Sequence, residues 1–147
     1  MNYELFMGAA LAEARAAQAA GERPHGAVAV LGGAMVARGR EQVAASGDPT
    51  AHAVIVTLRE GARRLGRTSL TGVTVFSVLE PCWMCVGALI VSDVDGLVFA
   101  LPDPAGGAAA SLVPLTRGPG LRRGLNVVSG ILQTDARELL ELPVSAR

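Results

Sequence analysis

Apolar positions along this chain recur with two periods, one typical of helices and one typical of strands. Helical spacing over residues 3–20, followed by Gly21, predicts an amphipathic helix. The apolar residues expected to face inward are Leu5, Ala9, Leu11, Ala12 and Ala16. Two β-prone runs, 27–31 and 34–37, flank the pair Gly32-Gly33, and this arrangement predicts a β-hairpin.

The rest of the chain alternates strand-like and helix-like segments. In chain order the pattern predicts an irregular loop over 39–50, helix 51–65, strand 73–78, helix 81–92, strand 96–101, strand 126–128 and helix 134–142. Asp48 or Thr50 is expected to cap the helix that starts at 51, and Thr134 or Asp135 the last helix. The segment 102–124, rich in Gly, Pro and Ala, is the least determined. Strands that alternate with helices favour a largely parallel sheet covered on both faces.

The composition fits a single domain that spans residues 1–147. Half of the 147 residues are hydrophobic and 18% are charged, which is enough apolar surface for a core. Thirteen basic and thirteen acidic residues cancel, which excludes a broad cationic surface for nucleic acid but not a local basic patch. No apolar run approaches the ~18 residues of a membrane span, and no secretory signal is visible, so we expect a cytoplasmic protein.

The strongest chemical signal is a histidine followed thirty residues later by a C-x-x-C pair. Cys82 and Cys85 lie near a predicted helix start, so both sulfurs can face one point, and the helix N-terminus favours their thiolate forms. His52 lies in the first turn of the preceding predicted helix and can supply a nitrogen. Zinc prefers these donors, and three protein ligands with one open position are typical of a catalytic zinc site.

Other interpretations of these residues stay open at this point. Cys82 and Cys85 could be buried thiols or a redox pair, with His52 an ordinary helix-end histidine. A closed structural zinc site would need a fourth ligand, and His25 is the only other histidine. The proline before Cys82, together with His52 upstream, favours the metal site.

Two segments carry a family resemblance: Asp48-Pro49-Thr50-Ala51-His52-Ala53 and Leu79-Glu80-Pro81-Cys82-Trp83-Met84-Cys85-Val86-Gly87-Ala88. They resemble the cytidine deaminase superfamily, and more narrowly the bacterial tRNA-specific adenosine deaminases and the purine (guanine) deaminases. The resemblance runs from the first helix to about Leu115, and 102–108 is similar to the loop after the family's fourth strand.

This resemblance implies a fold, a cofactor and a reaction. The implied fold is α/β, with three α/β/α layers and a central five-stranded mixed sheet, and the implied assembly is a homodimer. One catalytic Zn²⁺ would be held by His52, Cys82 and Cys85, and the reaction would be hydrolytic deamination at C6 of adenine, C2 of guanine or C4 of cytosine.

One position departs from the family. The family's general acid/base is a glutamate two residues after the histidine, and Val54 occupies that position here. Valine cannot transfer a proton, so we expect zinc binding to survive and activity to fall severely. Val54 could be an engineered replacement or a native residue, since the noncatalytic subunit of the eukaryotic tRNA adenosine deaminase pair resembles this chain and has valine there.

Two further departures lie in the expected base pocket. Counting back from His52 without gaps, Glu41 stands where the family often has an asparagine that contacts the sugar or base. His25 stands in the pocket-wall segment where tRNA deaminases commonly have valine. Glu41 or His25 could take over proton transfer or bind a different ligand, or both could be solvated loop residues. The resemblance implies that the backbone around Ala53 and Cys82 helps to bind the base.

Residues around this pocket carry weaker signals. Glu80 is expected to be a positioning residue at a strand end, and Trp83 to pack in the core rather than stack on a base. Six arginines indicate either a solvated face or a phosphate-contacting patch: Arg59, Arg63, Arg64, Arg67, Arg122 and Arg123. Few aromatic residues, and a Pro143 that ends the last helix, weaken the expectation of specific RNA recognition.

Together these predictions favour a zinc-dependent hydrolytic deaminase whose activity is impaired or altered at Val54. Its expected substrate is adenosine or another purine, free, as a nucleoside or within a tRNA anticodon loop. The alternative is a noncatalytic protein of the same fold that binds a nucleobase or serves as a dimer partner.

Overall fold

The computed structural model describes residues 1–111 and 124–141, so Arg122, Arg123 and Pro143 lie outside the described residues. In chain order the described elements are α1 (Tyr3–Ala19), β1 (Gly26–Leu31), β2 (Ala34–Arg40), α2 (Val43–Ser46), α3 (Ala53–Leu65), β3 (Val73–Leu79), α4 (Trp83–Val91), β4 (Gly96–Leu101), β5 (Asn126–Ser129) and α5 (Gln133–Leu140). No helix in this part of the chain has both the length and the apolar character needed to cross a membrane. That residues 1–147 form one domain stays a prediction.

The strands form one mixed sheet in the order β2-β1-β3-β4-β5. β1 pairs antiparallel with β2 and with β3, whereas β3 with β4 and β4 with β5 are parallel. The expected largely parallel sheet is therefore wrong, because alternating elements do not by themselves fix strand direction. The five-stranded mixed sheet that the family resemblance implies is confirmed.

Helices cover both faces of this sheet, so the α/β/α layering is confirmed. On one face α1 and α5 enclose a core whose larger members are Phe6, Met7, Leu11, Phe76, Val98 and Leu139. On the other face α3 and α4 enclose a second core whose larger members are Leu58, Val75, Leu89, Leu97 and Phe99. The sheet thus supports two helices, α3 and α4, side by side on one face.

Helix α1 forms where predicted but buries a different face. Its buried residues are Phe6, Met7, Ala10, Leu11, Ala14 and Ala17, whereas Leu5 is 61% exposed. An alanine-rich helix presents apolar residues on several sides, so periodicity alone does not single out one face. The large side chains determine which face of α1 is buried, since the ring of Phe6 packs on that of Phe76 with centroids 5.5 Å apart.

The segment predicted as an irregular loop over 39–50 is more regular than expected. β2 continues to Arg40, and the short helix α2 follows. The buried carboxylate of Glu22 accepts hydrogen bonds from the backbone N–H groups of Ala44 and Ala45. This long-range contact stabilises α2, and short-range sequence patterns do not show it.

The predicted helix caps are wrong at both helices. His52 is the N-cap of α3, while the carboxylate of Asp48 accepts from the N–H and hydroxyl of Thr50 in a local turn. At α5 the N-cap is Leu132, whose backbone is left-handed with φ 54°.

Two glycines let helices lie unusually close to the sheet. A Cβ on Gly26 would lie 2.3 Å from the carbonyl oxygen of Ala10 in α1. A Cβ on Gly39 would lie 2.5 Å from Oγ1 of Thr57 and 2.8 Å from its backbone nitrogen in α3. Because α3 carries His52 at its start, the contact at Gly39 also fixes where that histidine lies.

Gly39→Ala is expected to lower the free energy of unfolding by about 1–3 kcal/mol, because the new methyl group meets backbone atoms that cannot move aside. Urea denaturation measures this change. Gly8→Ala is the matched control: no atom lies within 4 Å of a Cβ there, and alanine favours a helix, so this variant should be at least as stable as the parent chain. Equal stability of the two variants would contradict the close contact.

Candidate metal centre and its pocket

His52, Cys82 and Cys85 converge on one point. Nδ1 of His52 lies 3.6 Å from each Sγ, and the two sulfurs lie 3.7 Å apart. Tetrahedral zinc, with Zn–S bonds of about 2.3 Å and Zn–N bonds of about 2.0–2.1 Å, separates its ligand atoms by roughly 3.5–3.8 Å. The three residues therefore fit zinc in both donor type and spacing.

Two helix N-termini place these ligands. His52 and Cys82 are the N-caps of α3 and α4, and Cys85 lies in the first turn of α4. Helix α4 starts at Trp83, two residues later than predicted, so Pro81 precedes the cap. The partial positive charge at both helix ends favours anionic groups at this point.

The two cysteines are free thiols that share a hydrogen bond. The contact between the two sulfurs lowers the pKa of Cys82 to about 5, although burial opposes the shift. The same hydrogen bond, together with burial, raises the pKa of Cys85. The pair thus favours one thiolate at neutral pH, and the thiolate is the form that binds metal.

His25 does not join this cluster. Among residues 1–111 and 124–141, the group with ligand atoms within 4.8 Å of one another is His52, Cys82 and Cys85. Nδ1 of His25 instead lies 3.5 Å from Oε1 of Glu41. A closed four-ligand site is therefore not formed by the described residues.

A cavity of about 230 Å³ lies against the three ligands, which all line it. Three of the residues expected in the base pocket, His25, Ala53 and Val54, also line this cavity, whereas Glu41 does not. Val54 is buried and presents an apolar side chain beside the metal ligands. A metal held by these three residues would therefore border this cavity.

Glu41 is a buried carboxylate held by two basic side chains. Nε and Nη2 of Arg23 each donate a hydrogen bond to it at 2.7 Å, and Nδ1 of His25 lies 3.5 Å from its Oε1. Burial alone would raise the pKa of Glu41, but His25 and Arg23 lower it to about 2. Glu41 is thus ionised at neutral pH and is a weak base. Neither Glu41 nor the half-buried His25 is a solvated loop residue.

Glu80 is the second buried carboxylate at this edge of the sheet. Burial works to raise the pKa of Glu80, but hydrogen bonds from Ser111 and from the N–H groups of Ala110 and Asp103 hold it below its usual range. The side chain is therefore an ionised acceptor for the loop after β4, in line with the positioning role expected of it.

Trp83 contradicts its prediction, since 54% of it is exposed and it does not pack in the core. Successive residues of a helix point about 100° apart, and Cys85 points inward from α4. Trp83, two residues before Cys85, is therefore directed outward.

The arginines of α3 have local partners. Arg59 lies 3.4 Å from Asp48, and Arg63 and Arg64 both pair with Glu60 at 2.7 and 2.6 Å. Arg67 donates to two backbone carbonyls just after the helix. Such contacts are typical of a solvated helix face, and the phosphate-contacting patch stays a prediction.

Among the ionisable residues that line the cavity, sequence reasoning missed Arg23 and Asp103. Arg23 carries no motif, because its partner Glu41 lies eighteen residues away and across a hairpin. Asp103 lies in the segment 102–108, which is similar to the loop after the family's fourth strand. That similarity was the signal that could have identified Asp103 as a site residue.

Comparison with known proteins places this site in a family. Residues 1–101 match the family described as the cytidine and deoxycytidylate deaminase zinc-binding region. The chain belongs to this zinc-binding deaminase family. When bound by such a ligand set, zinc lowers the pKa of a coordinated water and supplies a nucleophile at neutral pH.

Relatives in sequence and structure agree with this assignment. The tRNA-specific adenosine deaminase of Bacillus subtilis (strain 168) is 36% identical over 137 residues, which cover 93% of this chain and 85% of that protein. The protein of the same name from Agrobacterium fabrum is 37% identical, over 92% of this chain and 89% of its own length.

Solved structures show the same likeness. One from a study of A-to-I editing by tRNA:A34 deaminases matches with a TM-score of 0.89 and 37% identity, over 92% of this chain and 98% of its own. The guanine deaminase of Nitrosomonas europaea matches with a TM-score of 0.80 and 29% identity, over 93% of this chain and 81% of its own.

Cys85→Ser is expected to weaken zinc binding by more than the roughly 10–100-fold that loss of an outer hydrogen-bond partner costs, because it removes a ligand itself. Elemental analysis after dialysis against a graded chelator measures this, with about one zinc per chain expected for the parent. Asp103→Asn changes a cavity-lining residue that is not a ligand and should keep its zinc. Full retention of zinc by Cys85→Ser would contradict the site.

Proposed function

We propose that this chain is a zinc-dependent hydrolytic deaminase of adenosine or another purine, with turnover reduced by Val54. The observation that carries the proposal is the cavity that adjoins the His52–Cys82–Cys85 cluster and has Val54 in its lining. The apolar side chain of Val54 supplies no proton where the family uses a glutamate. Ligand binding should therefore be retained better than turnover.

A second groove, of about 580 Å³, supports a ligand longer than a free base. It shares Arg23, His25, Leu79 and Asp103 with the cavity, and α5 contributes Arg137 to it. The relatives named tRNA-specific adenosine deaminases favour a base within RNA. The likeness to a guanine deaminase favours a free purine. Both substrate classes are therefore included in the assay below.

His25 is our candidate for the proton transfer that Val54 cannot perform. Its ring lines the cavity, and the ionised carboxylate of Glu41 lies 3.5 Å from its Nδ1. A general base is often held in place by a third group in this way. In this proposal Glu41 orients the ring and His25 moves the proton.

The alternative is a noncatalytic deaminase-fold protein that binds a nucleobase or supports an active subunit. Val54 favours it, because this residue stands at the position of the family's glutamate and has no carboxylate to transfer a proton. A cytoplasmic location is proposed for either function.

Val54→Glu is expected to raise the deamination rate by about 10²–10⁴-fold, the usual contribution of a general acid/base. Ammonia release is measured with adenosine, guanine, cytosine and a tRNA anticodon stem-loop, alongside zinc content. Val54→Gln is the matched control, because it has nearly the same size as glutamate but cannot transfer a proton, and it should not raise the rate.

Three outcomes separate the hypotheses. Activity of the parent chain that is abolished in His25→Ala and reduced in Glu41→Gln would assign the proton transfer to His25. Parent activity that survives both substitutions would exclude that role. No turnover by the parent or by Val54→Glu, with zinc still bound, would reject the deaminase and favour the noncatalytic alternative.

We also propose that α4 forms the interface of the homodimer that the family resemblance implies. The helix carries no charged residue, and its exposed large apolar residues are Trp83, Met84 and Val91, of which Val91 is 80% exposed. Exposed large apolar residues on an uncharged helix are typical of an interface between subunits.

Val91→Glu is expected to convert the dimer to a monomer in analytical ultracentrifugation, because it places a charge in an apolar contact. Leu5→Glu is the control, since it adds the same charge at an exposed leucine of α1, on the other face of the sheet. A parent chain that is monomeric at every concentration tested would refute the interface.

A further inference from the structure

The loop after β4 surrounds the carboxylate of Glu80 with donors. Only 2% of Glu80 is exposed. Its oxygens accept hydrogen bonds from the backbone N–H groups of Asp103, Ala109, Ala110 and Ser111 at 2.7–3.1 Å, and from the Ser111 hydroxyl. A carboxylate offers about four lone-pair sites. Five donors therefore occupy the acceptor sites of Glu80, although it lines the cavity.

The same loop forms one wall of the cavity. Asp103 and Gly106 line it, and the N–H groups of Ala105 and Gly106 both donate to Oδ1 of Asp103. The backbone N–H of Asp103 is itself bound to Glu80. The position of the Asp103 side chain thus depends on the contact of its backbone with Glu80.

Two further contacts tie the loop to the metal-binding segment. A Cβ on Gly107 would lie 2.3 Å from Cδ of Glu80 and 2.6 Å from the carbonyl oxygen of Asp103, so a side chain has no room there. The N–H of Ala108 donates to the carbonyl oxygen of Pro81, the residue before the ligand Cys82. The loop 103–111 and the start of α4 are therefore held as one unit.

We infer that Glu80 is a positioning residue that fixes loop 103–111 as a wall of the ligand cavity, and that purine binding depends on it while zinc binding does not. The inference rests on the proposed function, since it assumes that the cavity takes a purine. Glu80 acts through the loop, since its side-chain hydrogen bonds go to residues of 103–111 and it is not one of the three clustered ligands.

Glu80→Gln tests this directly. Glutamine keeps the size but turns one acceptor oxygen into an NH₂ group that faces backbone N–H donors. We expect faster hydrogen exchange of the amides of 103–111, a dissociation constant for guanine and adenosine at least tenfold higher, and unchanged zinc content. Exchange is measured by mass spectrometry and purine binding by calorimetry on zinc-loaded protein, with the melting temperature recorded for each variant.

A second variant and a matched control guard against simple misfolding. Gly107→Ala pushes the loop from Glu80 without changing any charge, and it should give the same pattern. Glu22→Gln also neutralises a buried carboxylate that accepts from two backbone amides, but those belong to α2, none of whose residues lines the cavity. It should leave purine affinity unchanged.

The outcomes are distinct. Weaker purine binding by folded, zinc-loaded Glu80→Gln and Gly107→Ala, with Glu22→Gln unaffected, supports the inference. A lower melting temperature with unchanged purine affinity would show a merely structural role and overturn it. If the parent chain binds no purine, the proposed function fails. Separately, unchanged hydrogen exchange of the amides of 103–111 in Glu80→Gln would show that Glu80 does not fix the loop.

Discussion

β1 runs antiparallel to both of its neighbours, so its amino end lies beside the carboxyl ends of β2 and β3. β4 is parallel to β3 and ends at the same edge. The segments before β1 and after β2, β3 and β4 therefore meet, and they bring His25, Glu41, Cys82 and Asp103 to one place. With β1 reversed, His25 would lie at the opposite edge, roughly 20 Å away for six residues of extended chain. The position of His25 beside Glu41 and the metal ligands depends on this one pairing direction.

The metal ligands could be predicted from sequence because their geometry is local. Cys82 and Cys85 are three positions apart at a helix start, and His52 begins the helix that packs beside it, so spacing and residue type suffice. The mixed sheet followed from the family resemblance alone, since the alternation of elements favoured a largely parallel one. Regular local patterns therefore predicted the metal ligands and most helices and strands. They did not predict the direction of β1.

Features that depend on long-range contacts could not be predicted. Glu41 was placed by counting, but its ionisation comes from Arg23, which lies across the hairpin and carries no motif. The inward face of α1 is decided by Phe6 against Phe76, seventy residues apart. Trp83 was expected to pack in the core rather than stack on a base, but Cys85 points inward from the same turn of α4 and Trp83 therefore points outward.

Two buried carboxylates, Glu41 and Glu80, are poor substitutes for the glutamate that the family resemblance implies at position 54. Glu41 is ionised between Arg23 and His25, with a pKa of about 2, and the oxygens of Glu80 are occupied by loop 103–111. A carboxylate whose pKa lies far below the working pH is an inefficient general base, because an efficient one has a pKa near that pH. His25 differs from both, since it lines the cavity and its Nδ1 faces the carboxylate of Glu41. In our proposal the pocket thus keeps its metal ligands and its walls, while proton transfer rests on a single imidazole.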